Sequence, residues 1–94
     1  MKKFVIERNL PGAENLSSDE LQALAKTFFD SESKVEEAYV WMHSYIAGDK
    51  IYCVALAENE EAIRLHARAG NIPVNTISEV KTVIDRTLVP AADE

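Results

Sequence analysis

Ala38-Tyr39-Val40-Trp41-Met42-His43-Ser44-Tyr45-Ile46-Ala47-Gly48-Asp49-Lys50-Ile51-Tyr52-Cys53-Val54-Ala55-Leu56-Ala57 is two β-branched and aromatic runs on either side of Gly48-Asp49. Runs of that composition around turn residues predict a β-hairpin, with strands over Ala38–Ile46 and Ile51–Ala57. A loop of two residues or of four keeps the same register, so Ile46 faces Ile51. Tyr45 then faces Tyr52, Ser44 faces Cys53, His43 faces Val54, Met42 faces Ala55 and Trp41 faces Leu56. Alternation sorts the side chains into two faces. Val40, Met42, Ser44, Ile46, Ile51, Cys53 and Ala55 form a small or aliphatic face suited to packing under helices. Tyr39, Trp41, His43, Tyr45, Tyr52, Val54 and Leu56 form the other.

Outward from the hairpin, Lys3 to Leu10 reads as a strand stopped by Pro11-Gly12. Ser17 with Glu20 three residues on is a capping box, in which each side chain satisfies a free backbone N–H. Leu21, Leu24, Ala25, Phe28 and Phe29 follow as one apolar helical stripe, predicting a helix that ends near Lys34. Beyond the hairpin, Asn59 caps a second helix. Glu60 and Glu61 suit its positive end, Gly70 suits a left-handed stop, and Pro73 follows. Ile77 to Ile84 reads as a last strand, and residues 86–94 as a frayed tail. The order β-α-β-β-α-β is the ferredoxin-like pattern: a four-stranded antiparallel sheet with both helices on one face, an α+β fold.

The whole chain, 1–94, reads as one such domain, since 94 residues give room for no second core. A composition 47% hydrophobic and 28% charged excludes disorder, and no apolar run approaches the length of a membrane span. Sixteen acidic residues against ten scattered Lys and Arg repel phosphate backbones, which argues against nucleic acid as a partner. Glu7 and Arg8 interrupt the short apolar stretch near Met1, so a signal peptide is not expected, and Cys53, the one cysteine, fits a reducing compartment. A cytoplasmic protein is expected.

Glycine-rich phosphate loops, a nucleophile elbow, paired CxxC motifs and H-x-x-x-H spacings are all missing, so no hydrolase or transferase constellation is present, and the sequence leaves open whether the chain is an enzyme. His43, between Trp41 and Tyr45, is either a metal ligand or a histidine packed in an interface. His66 sits centrally on the apolar face of the second helix, either as a satisfied core side chain or as a ligand. The two imidazoles project to opposite sides of the sheet, so one metal held by both requires an edge site or a second subunit. Glu7 and Glu79 lie in strands among apolar neighbours, where a carboxylate is a hard metal donor or a plain solubility device. Cys53, on the helix side, reads as a small hydrophobe.

Three stretches carry a resemblance: Lys3-Phe4-Val5-Ile6-Glu7-Arg8 with Pro11-Gly12; Trp41-Met42-His43-Ser44-Tyr45 with Asp49-Lys50-Ile51-Tyr52-Cys53-Val54; and Glu60-Glu61-Ala62-Ile63-Arg64-Leu65-His66-Ala67-Arg68-Ala69-Gly70 with Pro73. Together with Ile77-Ser78-Glu79-Val80 they resemble a small bacterial family of single-domain proteins of unknown function with nickel-binding or nickel-responsive members. The resemblance implies a dimeric ferredoxin-like fold and a divalent metal, nickel, at His43 and His66, serving as buffer or sensor. The competing expectations are a dimeric module that holds a small organic ligand on its aromatic face, with or without modest enzymatic activity, where His43 is an acid–base or hydrogen-bonding group and Tyr45 and Tyr52 orient the ligand, and an interaction module whose aromatic face is dimer interface only. Either way, the face bearing Tyr39, Trp41, His43, Tyr45 and Tyr52 has no helix to cover it. A symmetric homodimer is the expected cover.

Overall fold

Eight residues of alternating burial open the chain: Phe4, Ile6 and Arg8 point inward, while Lys3, Val5 and Glu7 are half-buried on the opposite side. This is β1 (Lys2–Asn9), followed by α1 (Ser18–Asp30), β2 (Tyr39–Ala47), β3 (Lys50–Ala57), α2 (Glu60–Gly70) and β4 (Thr76–Glu79). The computed structural model describes residues 1–92. All pairings are antiparallel and the strand order is β2-β3-β1-β4, the ferredoxin-like arrangement expected from the element order. Phe4, Ile6, Ile51, Cys53 and Ala55 meet Phe28 of α1 and Ile63 of α2 in one core.

Local signals place the helix starts. Ser17 Oγ accepts from Glu20 N at 3.1 Å while Ser17 N donates to Glu20 Oε1 at 3.0 Å, the reciprocal capping box. Asn59 Oδ1 accepts from Ala62 N at 3.0 Å at the start of α2. The helix ends differ from expectation. α1 stops at Asp30 and continues to Lys34 only as a 3₁₀ helix, Ser31–Lys34. The left-handed residue after α2 is Asn71, at φ 53°, and not Gly70. Gly70 is required for closeness instead: a Cβ there would lie 2.5 Å from Ser31 Oγ and 2.6 Å from Ile72 Cδ1.

β4 is shorter than the expected Ile77–Ile84. It runs antiparallel to β1 toward that strand's beginning, pairing Thr76 with Glu7 and Glu79 with Phe4. After Val80 N donates to Lys3 O, the partner strand is nearly used up, so further β-branched residues have nothing to pair with. Val83, Ile84, Leu88 and Val89 are accordingly more than 60% exposed. The expected frayed tail, 86–94, contains a 3₁₀ turn at Arg86–Leu88, where Asp85 Oδ1 accepts from Thr87 N at 2.8 Å; residues 93–94 lie outside the described part.

The hairpin register holds from Ile46↔Ile51 through His43↔Val54 and then slips. Trp41 pairs with Ala55 and Val40 with Leu56, so Met42 is an extra residue in a β-bulge. One unpaired residue reverses the facing of everything before it. Tyr39 and Trp41 therefore lie on the helix side, correcting the expected five-ring aromatic face. Tyr39 is 5% exposed, and Trp41 packs edge-on against Phe28 with ring centroids 5.4 Å apart.

Candidate functional site

With Tyr39 and Trp41 turned inward, the open face of the sheet is a grid set by the three registers. One row runs Tyr45–Tyr52–Glu7–Thr76, the next His43–Val54–Val5–Ser78, and Val40 and Leu56 stand beyond them. Among the described residues no helix lies over these rows, and Tyr45, Val40 and Met42 are 62%, 41% and 45% exposed. His43 is exposed on the edge strand, its ring set edge-on to Tyr45 with centroids 5.1 Å apart. Glu7 Oε1 accepts from Lys50 Nζ at 3.0 Å, and this ammonium holds the Glu7 carboxyl below the usual range. Glu79 is at the opposite sheet edge, beside Phe4, and is held down in the same way by Lys81 at 2.9 Å.

The helix side buries a second and denser group of polar atoms. His66 is 1% exposed and stacks on Tyr39, with centroids 4.0 Å apart. Its Nε2 lies 2.8 Å from Phe28 O. A carbonyl only accepts, so Nε2 carries the proton and Nδ1 keeps a bare lone pair that has no partner. Burial depresses the pKa of this imidazole and keeps it neutral. Burial also pushes the Tyr39 phenol up to about 12; its hydroxyl makes no hydrogen bond of normal geometry, and the Arg8 guanidinium beside it tempers the rise by its charge and by a weak side-chain contact. Below them, Trp41 Nε1 donates to Ser44 Oγ at 2.8 Å, and Ser44 Oγ donates to Cys53 Sγ at 3.0 Å.

Arg8 completes this group, and sequence reasoning passed over it. It is fully buried. Nε donates to Cys53 Sγ at 3.2 Å, Nη1 donates to Pro73 O at 2.8 Å, Nη2 has no partner, and the guanidinium carbon stands 5.4 Å from the centre of the Phe28 ring. The signal was present in the strand alternation, since Arg8 is in phase with Phe4 and Ile6.

The donors do not fit a metal ion within one copy of the chain. Among the described residues, no three His, Cys, Asp or Glu side chains converge. His43 and Glu7 share a face but stand two strands and one row apart, about 12 Å, whereas ligands of one ion lie about 2 Å from it. His43 and His66 lie on opposite sides of the sheet, as alternation predicted, and His66 offers only a lone pair closed inside the core. The remaining interface or pocket residues also separate: Tyr45 and Tyr52 on the open face, Tyr39 and Trp41 inside.

Among the described residues, no helix is long and apolar enough to cross a membrane. No curated protein matches the chain. The fold is similar to that of the crystal structure of SCO4226 from Streptomyces coelicolor A3(2), with a TM-score of 0.69 and 25% identity. That likeness covers 87% of this chain and 99% of the other. A family model described as nickel responsive protein SCO4226-like matches residues 4–80, which takes in β1 through β4 and both helices. On that match the chain belongs to the SCO4226-like family.

Proposed function

We propose that this protein is a homodimeric, nickel-responsive binding protein, a buffer or sensor, whose metal is held on the open sheet face at His43 with donors from a second copy. The observation that supports this reading most is the contrast between the two histidines. His43 presents an exposed imidazole on a face that no helix covers, while the proton-bearing nitrogen of His66 is spent on Phe28 O. Neutral imidazole is a good donor to nickel, copper and zinc, and the family description favours nickel. One accessible imidazole is too few for a site, and a two-fold axis near β2 doubles it.

The surface supports the dimer independently of the metal. Val40, Met42 and Tyr45 are exposed beside Tyr52, Val54 and Leu56, and a second apolar group, Val83, Ile84, Leu88 and Val89, stands clear of the core. Burying a large apolar side chain contributes about 1.5–3 kcal/mol, so a self-complementary face is a strong drive to closed pairing. The occupant of the face is thus a second copy of this chain.

The test is calorimetric titration of chelator-stripped, tag-free protein with nickel, alongside sedimentation. Binding with a rise in melting temperature, lost in His43→Ala and kept in Glu79→Gln, is the expected result. No heat and no melting shift at millimolar nickel would defeat the metal reading. A monomer at high micromolar concentration would defeat the dimer.

A further inference from the structure

Past β4 the chain carries more apolar sequence than its own sheet can use. After Val80 N donates to Lys3 O, residues 81–92 are exposed throughout, and Val83, Ile84, Leu88 and Val89 are among them. Four large aliphatic side chains within seven residues are not the composition of a solvated tail, which is poor in such residues. Nor is the segment shapeless. Asp85 Oδ1 accepts from both Thr87 N and Thr87 Oγ1, and Leu88 N donates to Asp85 O at 3.1 Å, closing the 3₁₀ turn. With this arm the molecule measures 55 Å by 33 Å by 20 Å. Its radius of gyration is 15.5 Å, where about 12 Å suits a compact chain of this length.

The surface area shows the same excess. A folded chain of 10.5 kDa has an accessible surface of about 5,400 Å², and this one has 6496 Å². The difference, about 1,000 Å², matches the roughly 800 Å² that each partner buries in a stable interface. The place where the arm leaves narrows what it covers. β4 runs toward the end of the sheet where Lys3, Leu56 and Val40 form a row on the open face, with Val5 and Val54 in the next row. That is the aliphatic end of the face; the Tyr45–Tyr52–Glu7–Thr76 row, where Glu7 takes the Lys50 ammonium, is the polar one. Within one chain the arm packs on neither, since all of its described residues are exposed.

We propose that the arm is an exchanged segment: residues 81–92 of each copy lie across the open sheet face of a second copy, with Val83, Ile84, Leu88 and Val89 against Val40, Val54 and Leu56. His43 stands in the Val54 row, so the arm of a second copy forms one wall over it, and a single chain leaves that site incomplete. The inference rests on the homodimer proposed above and adds the segment that makes it. A second copy fits better than a foreign partner because both uncovered apolar surfaces belong to this chain, and reciprocal exchange covers the two at once with closed two-fold symmetry. The residues matched by the family end at 80, so the arm is an addition to the shared domain.

Ile84→Asp and Leu88→Asp, placed together in the full chain, leave every core contact of the domain intact. Far-UV circular dichroism should be unchanged, while sedimentation equilibrium should show the dimer dissociation constant raised at least about tenfold. A second full-length chain carrying Val54→Cys and Ile84→Cys tests the placement directly, since the native Cys53 is buried. On mild oxidation it should become a covalently linked dimer, with peptide mapping joining residue 54 of one copy to residue 84 of the other. Should the aspartate pair lose secondary structure, this linkage decides. A wild type that sediments as a monomer defeats the homodimer reading and the arm with it. A wild-type dimer whose dissociation constant the two aspartates leave unmoved, or a disulfide closed within one chain, overturns the arm alone.

Discussion

The buried neutral His66 should make this protein lose stability in mild acid, and linkage fixes the sign of the loss and its ceiling. Folding lowers the imidazole pKa from 6.5, with burial as the main cause; the 2.8 Å bond to Phe28 O opposes the shift and the Arg8 charge adds to it. The sign follows from proton binding. Below 6.5 the unfolded chain takes up a proton that the folded chain refuses, so stability is full above that value and falls as pH drops through it. With the imidazole neutral throughout in the folded chain as the limiting case, moving from about pH 7.5 to about pH 5.5 costs at most about 1 kcal/mol. A chain this small has an m value of about 1 kcal/mol per molar urea, so the unfolding midpoint should move down, by at most about 1 M. The carboxylates held low by partners, Glu7, Glu20, Glu79 and Asp85, lose their contribution only as pH falls below the ordinary carboxylate range. Glu32, raised by burial, acts in the opposite sense as pH falls. His66→Gln is the control: its amide can still donate to Phe28 O, it does not titrate, and every other group is unchanged. Urea unfolding of both proteins at fixed concentration should show the drop in the wild type alone. Equal pH slopes in the two proteins, or a wild type that gains stability toward pH 5.5, would refute the argument.

Other substitutions test the packing. Trp41→Glu places a charge under α1 against Phe28 and should destabilise the fold itself, whereas Tyr45→Glu on the open face should leave the fold intact and shift sedimentation toward monomer. Gly70→Ala gains about 1 kcal/mol of helix propensity but forces a Cβ onto Ser31 and Ile72, an overpacking cost of about 1–3 kcal/mol. Net destabilisation is expected in urea melts, with part of it recovered in the Ser31→Ala background, which removes the nearest atom. Ser17→Ala breaks the capping box at α1 and should cost about 1 kcal/mol, read from the same melts.

What the sequence disclosed was whatever depends on local chemistry. Capping by Ser17 and Asn59, the Gly48-Asp49 turn, and the pairing from Ile46↔Ile51 to His43↔Val54 follow from residue types and spacing, and all are present. So is the separation of His43 from His66. The failures are tertiary. Nothing in Trp41-Met42-His43 marks a bulge: with or without it, the strand alternates plausibly, and aromatic rings serve as well in a core as on a surface. The decision belongs to Phe28 and His66, which offer Trp41 and Tyr39 ring partners on the helix side. Gly70 was read by its backbone freedom, but what fixes it is the approach of Ser31, thirty-nine residues away.

The bulge at Met42 also decides what each side of the sheet can do. A regular strand would have put Tyr39 and Trp41 on the open face beside His43, leaving His66 without its stacking partner and Ser44 without its indole donor. One extra residue instead sends two rings inward, where they enclose His66 and the Arg8–Cys53–Ser44 chain on the side away from solvent. The outer face keeps His43, Tyr45 and Tyr52 on an open patch without those two rings, the patch that the proposed second copy would cover. The inner side keeps a cation, a neutral imidazole with a bare lone pair and a high-pKa phenol in the same apolar interior. Each unmatched atom raises the energy of the folded chain, and a ligand that binds the folded state alone acts on the melting temperature. That is why thermal stability, rather than catalysis, is the property through which a ligand of the open face should first be seen.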